Sequence, residues 1–236
     1  MSSWKEYAAI IDHSILHPTA TDEDLKRECE VADKNEVASI CVKPYMVPKA
    51  VEFLKESRVP VGCVIGFPAG NSSTEVKEFE TDQACRAGAK EIDMVINIGK
   101  ALQGDWDYVE QEITTIAETA HSHGSILKVI FETDYVTRDE DKKKLCEICT
   151  RAGADYVKTS TGFGFVKGKD GRHAYTGATV HDIKLMSENV GPGVKVKASG
   201  GVRSLDDLIA VKEAGCHRCG ATATEKILEE AKKKFG

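Results

Sequence analysis

Charged side chains stand inside Val- and Ile-rich stretches that are typical of buried strands. Successive side chains of a strand point to opposite faces, so in VKVKASG (194–200) the valines share one face and the lysines share the other. The same alternation predicts that six charged side chains point inward from their strands: Glu91, Asp93, Lys128, Glu132, Lys195 and Lys197. Burying a charge costs free energy unless the charge is paired, so a buried charge calls for a partner or a function. These residues are therefore the first candidates for chemistry.

Lys158 and Lys197 are candidates for a nucleophilic amine and its activator. They are predicted to lie on neighbouring strands, where each positive charge disfavours protonation of the other and lowers its pKa. With the ordinary lysine pKa of about 10.4, only ~0.1% of the amine is neutral near pH 7.4, whereas a pKa near the ambient pH leaves about half neutral. A neutral amine attacks a carbonyl carbon and forms a Schiff base. An inward Asp93 could then transfer protons, directly or through water.

Buried ion pairs that only satisfy one another are the alternative explanation, and for any one lysine that alternative is the stronger. Several of these charges, however, stand near the carboxyl ends of predicted strands. Active sites of parallel α/β barrels form at that end, which favours catalysis for the set as a whole.

Three glycine-containing stretches predict an anion site close to the two lysines. TSTG (159–162) follows the sixth predicted strand, SGG (199–201) follows the seventh, and GAT (220–222) precedes the last predicted helix. Backbone N–H groups of such loops and a helix N-terminus can converge on a phosphate. Each stretch alone could simply turn the chain, but three in neighbouring loops favour a phosphate site.

The elements that must position these residues alternate between strand and helix. Eight apolar runs are predicted strands, at 7–13, 37–43, 59–67, 90–97, 126–132, 154–160, 194–200 and 216–221. The same order of helix end, glycine and strand occurs three times, in RAGAKEID, RAGADYVK and EAGCHRCG, at intervals of 65 and 62 residues. Each interval holds two strand–helix units. Residues 1–236 therefore predict one domain, a single (β/α)8 TIM barrel of the α/β class, with a doubly wound open sheet as the alternative.

Composition excludes several classes of protein. Hydrophobic residues at 41% and charged residues at 30% are typical of a soluble globular fold rather than a disordered one. A net charge of −6 with a pI near 5.7 offers no overall positive field to nucleic acid or an anionic membrane. The sequence contains no apolar run long enough to span a membrane and no signal-peptide pattern, so we expect a cytoplasmic protein.

Eight cysteines are spread through the chain and are interpreted as reduced thiols. Cys146 and Cys149, with Cys216 and Cys219, have the spacing of zinc ligands. The first pair is predicted to share the buried face of a helix, whereas the second pair is predicted on a strand, where its members point to opposite sides. We therefore expect structural thiols and no metal site.

The motifs together resemble the deoxyribose-phosphate aldolase family, class I aldolases with a TIM-barrel fold. The similarity covers nearly the whole chain, through IDHSIL (11–16), SICVKP (39–44), GFPAGNSSTEVKEFE (66–80), EIDMVINIG (91–99), LKVIFET (127–133), VKTSTGF (157–163) and KVKASGGVR (195–203). The resemblance implies reversible cleavage of 2-deoxy-D-ribose 5-phosphate to D-glyceraldehyde 3-phosphate and acetaldehyde. It implies a small phosphorylated sugar as the partner, rather than nucleic acid or membrane, and leaves a homodimer or homotetramer open.

The resemblance also implies roles for single residues. Lys158 of KTSTG is the Schiff-base former, Lys197 of KASGG lowers its pKa, and Asp93 of EIDMV is the proton shuttle. The remaining implied positions are substrate-binding Asp12, Cys41, Lys128 and Thr161, and phosphate-binding Gly162, Gly200, Gly201 and Thr222. No metal or other cofactor is expected, because an imine already supplies the electron sink.

Two departures from the family pattern affect the substrate pocket. Thr222 is followed by Ala223 where the family often has two small hydroxyl residues, so one phosphate hydrogen bond is expected to be missing. The connection 162–180, after the sixth predicted strand, is longer than the compact glycine-rich connection of the family. Two other functions stay open: a Schiff-base barrel for a different phosphorylated sugar, and a catalytically silent phosphate-binding barrel, against which the cost of buried amines counts.

Overall fold

Eight parallel strands close into a barrel in the computed structural model, which describes residues 3–168 and 170–236. The barrel strands are β1 (Ile11–Ile15), β2 (Ser39–Val42), β3 (Val61–Ile65), β4 (Glu91–Val95), β5 (Ile126–Ile130), β6 (Tyr156–Lys158), β9 (Lys195–Ser199) and β10 (Arg218–Ala221). They neighbour one another in chain order, and β10 closes the ring against β1. The predicted (β/α)8 TIM barrel is confirmed, and the open-sheet alternative is wrong.

Helices connect the strands and cover the outside of the barrel. They are α1 (Trp4–Ala8), α2 (Asp22–Lys34), α3 (Val47–Phe53), α4 (Thr74–Arg86), α5 (Ile98–Leu102), α6 (Trp106–Ser122), α7 (Asp139–Arg151), α8 (Val180–Asn189), α9 (Leu205–Glu213) and α10 (Thr224–Phe235). Thr21 caps α2 by accepting from the N–H of Asp24, and Ser204 caps α9 by accepting from the N–H of Asp207. The apolar core fills the space between strands and helices, so the strands are buried on both faces.

The structure corrects the bounds of all eight predicted strands, the first and the fifth among them. Tyr7 and Ala8 belong to α1, and the first strand begins only at Ile11. The fifth strand ends at Ile130, so Glu132 lies beyond it, in a left-handed backbone conformation with φ +56°. The alternation of a strand therefore does not apply to Glu132.

The prediction that Lys195 points into the barrel is wrong. Lys195 is the first residue of β9 and its side chain is exposed, with Nζ 5.8 Å from the centre of the Tyr156 ring. An ammonium at the end of a strand can reach water, so alternation alone does not bury it.

The long connection after β6 contains a two-stranded antiparallel hairpin, β7 (Val166–Lys167) and β8 (His173–Ala174). The rings of Phe165 and His173 stack with their centres 4.0 Å apart. The carboxylate of Asp134, in the turn after β5, accepts from the N–H groups of Thr176 at 2.6 Å and Gly177 at 3.1 Å. These hydrogen bonds hold the far end of the connection to the turn after β5.

All eight cysteines are free thiols and buried. Cys146 and Cys149 lie on the buried face of α7, as the helical pattern predicts, and Cys216 precedes β10 rather than opening it. Within residues 3–168 and 170–236, no helix combines the length and the apolar character needed to span a bilayer.

Candidate active site

Lys158 and Lys197 lie directly opposite each other on the β6–β9 ladder. Both ammonium groups donate to Oδ2 of Asp93 on β4, at 2.7 Å from Lys158 and 2.6 Å from Lys197. Asp93 and Lys197 are fully buried, and Lys158 is 3% exposed. The three residues predicted to carry the chemistry are therefore in direct contact.

Asp12 and Lys128 extend this contact into a larger buried network. Nζ of Lys128 lies 2.8 Å from Asp12, 2.5 Å from Glu91 and 3.1 Å from Oδ1 of Asp93. Nζ of Lys197 lies 2.5 Å from Asp12. The alternation of side chains along β1, β4, β5 and β9 brings these groups to the barrel interior.

Arg218 on β10 completes the network and is a residue that the sequence analysis did not single out. Its Nε donates to Oδ1 of Asp12 at 2.6 Å, and its terminal nitrogen donates to Glu91 at 2.9 Å. Arg218 is a charged residue inside the predicted strand 216–221, and this is the same signal that marks the buried lysines.

The network is electrically balanced only when one amine is neutral. Its members are three carboxylates and four basic groups: Asp12, Glu91, Asp93, Lys128, Lys158, Lys197 and Arg218. Burial, the largest influence, and then the charge of Lys197 lower the pKa of Lys158, although Asp93 opposes them. The pKa of Lys197 is raised, because Asp12 and Asp93 together outweigh its burial. Lys158 is therefore the amine that loses its proton most readily.

Two carboxylates of the network, Asp12 and Asp93, stay ionised. Lys128, Lys197 and Arg218 hold the pKa of Asp12 well below its usual range, despite full burial. Lys128, Lys158 and Lys197 do the same for the pKa of Asp93. An ionised Asp93 can accept a proton from Lys158 and, once protonated, can return it.

A cavity of about 670 Å³ opens at the carboxyl ends of the strands. Six predicted site residues line it: Lys158, Thr161, Gly162, Gly200, Gly201 and Thr222. Five others lie buried outside this lining: Asp12, Cys41, Asp93, Lys128 and Lys197. Among the residues that the structure describes, Lys158 is the one lysine that belongs both to the lining and to the network.

Cys41 on β2 is buried, and burial raises the pKa of its thiol to about 11. The thiol is thus protonated near neutral pH and is a poor nucleophile. Cys41 therefore contributes a small neutral group beside the lysines.

Gly162, Gly200 and Gly201 line one wall of the cavity, the glycine wall. Gly177 lies outside the lining and packs against this wall: Gly177 and Gly200 both have positive φ, and a side chain on Gly177 would come within 2.5 Å of the backbone of Gly200. Gly177 belongs to the long connection and was not among the predicted site residues. The helix α10 begins beside this wall with Ala223 at its N-cap, a residue without a side-chain oxygen to cap the first turn. The first-turn N–H groups are therefore left to an anion or to solvent.

Arg203 and Tyr175 are two further lining residues that the sequence analysis did not identify. A terminal nitrogen of Arg203, in the loop after β9, donates to the hydroxyl of Tyr175 at 3.1 Å. The guanidinium places a permanent positive charge in the same cavity as the glycine wall.

Comparisons with known proteins agree over nearly the whole chain. Residues 7–224 match the model of the DeoC/LacD family of aldolases. A deoxyribose-phosphate aldolase of Caldanaerobacter subterraneus subsp. tengcongensis is 48% identical over 96% of this chain and 94% of its own length. One of Thermococcus gammatolerans is 45% identical over 96% of this chain and 97% of its own. The solved structure of deoxyribose phosphate aldolase from Aeropyrum pernix, described as tetrameric, is 31% identical, with a TM-score of 0.88 and coverage of 99% and 94%.

Proposed function

Because the chain belongs to the DeoC/LacD family of aldolases, we propose that it cleaves 2-deoxy-D-ribose 5-phosphate reversibly to D-glyceraldehyde 3-phosphate and acetaldehyde. The reaction proceeds through a Schiff base on Lys158. The observation that carries this proposal is that Lys158 lines the cavity and has a lowered pKa, whereas the pKa values of Lys128 and Lys197 are raised. A lowered pKa supplies the neutral amine that the first step requires.

The chain's own groups account for each step of the cleavage. Nζ of Lys158 attacks C1 of the open-chain sugar, and loss of water leaves an iminium. Removal of the proton from the C3 hydroxyl breaks the C2–C3 bond, releases glyceraldehyde 3-phosphate and moves the electron pair into an enamine. Protonation at C2 and hydrolysis then release acetaldehyde and the free amine.

Asp93 is proposed to move the protons of these steps. Its Oδ2 lies 2.7 Å from Nζ of Lys158, within hydrogen-bond reach of the amine that must lose a proton before attack. Transfer to the carbon and hydroxyl atoms of the substrate proceeds directly or through water. Lys197 keeps Asp93 ionised and disfavours protonation of Lys158.

The other end of the substrate is proposed to bind at the glycine wall. Gly162, Gly200 and Gly201 line the cavity, and their lack of side chains lets a phosphate approach backbone N–H groups. Thr222 lines the same cavity, and Arg203 adds a positive charge there. Asp12, Cys41 and Lys128 are proposed to shape the pocket around the reacting carbons from beneath the lining, and Thr161 is proposed to contact the substrate from the turn that carries Gly162.

Borohydride trapping tests the imine. Reduction in the presence of acetaldehyde is expected to add an ethyl group to the peptide that contains Lys158, and reduction without acetaldehyde is the control. Labelling at Lys128 or Lys197 instead would overturn the assignment. Profiling 2-deoxyribose 5-phosphate against other phosphorylated aldehyde sugars separates this aldolase from a Schiff-base barrel of different specificity.

Three further properties are proposed with this function. The imine makes a metal unnecessary, so activity is expected to survive strong chelators. The tetrameric relative from Aeropyrum pernix favours a homo-oligomer, dimer or tetramer, which light scattering can measure. A cytoplasmic location stays a prediction that cell fractionation can test.

A further inference from the structure

Glu132 is a buried carboxylate near the cavity that the steps above do not use. Its side chain is 1% exposed, and it follows the end of β5 with φ +56°. Left-handed backbone is unfavourable for residues other than glycine because the side chain crowds the following carbonyl. Residues held in such conformations concentrate at functional sites.

One oxygen of Glu132 holds the turn that lines the cavity. Its Oε2 accepts from the N–H of Thr161 at 3.2 Å and also from the Thr161 hydroxyl. Oγ1 of Thr161 in turn accepts from the N–H of Phe163 at 2.9 Å. Thr161, Gly162 and Phe163 all belong to the lining. A single buried side chain thus fixes three consecutive residues of the cavity wall.

The other oxygen of Glu132, Oε1, is buried and receives no hydrogen bond from any residue in the described ranges. A buried, half-bonded carboxylate is destabilising compared with an apolar side chain of similar size. Burial raises the pKa of Glu132, against the opposing effect of its bonds to Thr161. Stability alone therefore does not account for a glutamate at this position.

The turn that carries Glu132 also holds two other points of the same connection. Asp134 accepts from Thr176 and Gly177, and the hydroxyl of Tyr135 accepts from the N–H of Phe165 at 2.8 Å. Glu132 differs from these two because it is fully inside the protein and holds the end nearest Lys158.

We propose that Glu132 is a positioning residue for the aldolase reaction, which fixes the 161–163 turn where the phosphorylated end of the substrate binds. The proposal rests on the proposed function, because it assigns that turn to binding of the phosphorylated sugar. Glu132 acts through Thr161 and does not touch the substrate.

The variant Glu132→Gln tests this role. The neutral amide oxygen of glutamine accepts more weakly from the N–H and hydroxyl groups of Thr161. The amide NH2 group takes the place of Oε1, which receives no hydrogen bond from the described residues. The KM for 2-deoxyribose 5-phosphate is expected to rise about tenfold, as for loss of a hydrogen bond to a charged group, with kcat changed by less than about twofold. Borohydride trapping of acetaldehyde on Lys158 is expected to proceed at the parental rate, because acetaldehyde carries no phosphate.

Thr161 supplies the second arm of the test. Thr161→Val is expected to raise KM as Glu132→Gln does, and Thr161→Ser, which keeps the hydroxyl, is expected to restore the parental KM. Since Glu132 acts through Thr161, Glu132→Gln should add less than about twofold to the KM of Thr161→Val. If Glu132→Gln does not fold, the contrast between the valine and serine variants decides the question.

Glu112→Gln is the matched control. Glu112 on α6 is also fully buried, but it pairs with Lys77 at 2.6 Å among the outer helices and does not line the cavity. This control is expected to lower the thermal midpoint and to leave KM unchanged. A parental KM in folded Glu132→Gln, full additivity with Thr161→Val, or an equal rise of KM in Glu112→Gln overturns the positioning role alone. A parent enzyme that does not cleave 2-deoxyribose 5-phosphate overturns the proposed function as well.

Discussion

Lys158 and Lys197 donate to the same oxygen of Asp93, at 2.7 and 2.6 Å, yet their pKa values move in opposite directions. The difference lies in the second carboxylate: Lys197 also lies 2.5 Å from Asp12, whereas the described residues offer Lys158 only Asp93. One additional negative charge keeps Lys197 protonated, and its absence leaves Lys158 as the amine that burial can neutralise.

Replacing Lys197 is expected to raise the pKa of Lys158. In Lys197→Leu the amine of Lys158 loses a neighbouring positive charge while the negative charge of Asp93 remains, so the protonated form of Lys158 is favoured. The rising limb of the pH–rate profile should move to higher pH, and the rate near neutral pH should fall. Lys197→Arg, which keeps the charge with a different geometry, should shift the limb less. Circular dichroism must show folded variants, and an unshifted profile at the parental rate would contradict the two-lysine mechanism.

Replacing Asp93 is expected to separate imine formation from cleavage. Asp93→Asn removes the charge that raises the pKa of Lys158, so the rising limb should move to lower pH. It also removes the proposed proton shuttle, and kcat should fall by roughly a hundredfold to ten-thousandfold. Acetaldehyde should still be trapped on Lys158 by borohydride. Cleavage within tenfold of the parental rate in a folded variant would exclude Asp93 as the shuttle.

The periodicity of the sequence was sufficient to predict the barrel and the contact among Asp93, Lys158 and Lys197. Alternation along buried strands depends only on local geometry, so it survives into the folded state wherever the strand continues. It does not extend to Glu132, because β5 ends at Ile130, and it was wrong for Lys195 because the first residue of β9 reaches water.

Contacts between distant loops could not be predicted in the same way. Arg203 meets Tyr175 across two different connections, and Gly177 packs on Gly200 from the far end of the hairpin connection. Neither pair leaves a periodic signal, since loop conformations are set by tertiary packing rather than by a repeat. The length of the connection after β6 could be read from the sequence, but its path across the cavity could not.

Arg218 is expected to be important for stability. Replacing it by methionine leaves Asp12 and Glu91 buried with one cation fewer, and breaking such a pair costs about 3–5 kcal/mol. Urea denaturation monitored by circular dichroism should show this loss of unfolding free energy. Arg86→Met is the control, because Arg86 makes an exposed ion pair with Asp82, and no measurable change is expected there. Similar stability of the two variants would mean that the network does not depend on Arg218.

Tyr175 is expected to set the preference for a phosphorylated substrate. Its hydroxyl accepts from Arg203 at 3.1 Å, and both side chains line the cavity beside the glycine wall. In Tyr175→Phe the exposed guanidinium of Arg203 loses the one side-chain hydrogen bond that it makes among the described residues. The cation is then no longer ordered before the phosphate binds. The KM for 2-deoxyribose 5-phosphate should rise about threefold to tenfold, as for loss of one hydrogen bond, while kcat/KM for unphosphorylated 2-deoxyribose stays at the parental value. Arg203→Met should lose more of the preference, because it removes the charge itself, and adding Tyr175→Phe to it should change little further. An equal loss of kcat/KM for the two sugars in Tyr175→Phe would show that the hydroxyl supports the cavity wall in general and does not act through Arg203 on the phosphate.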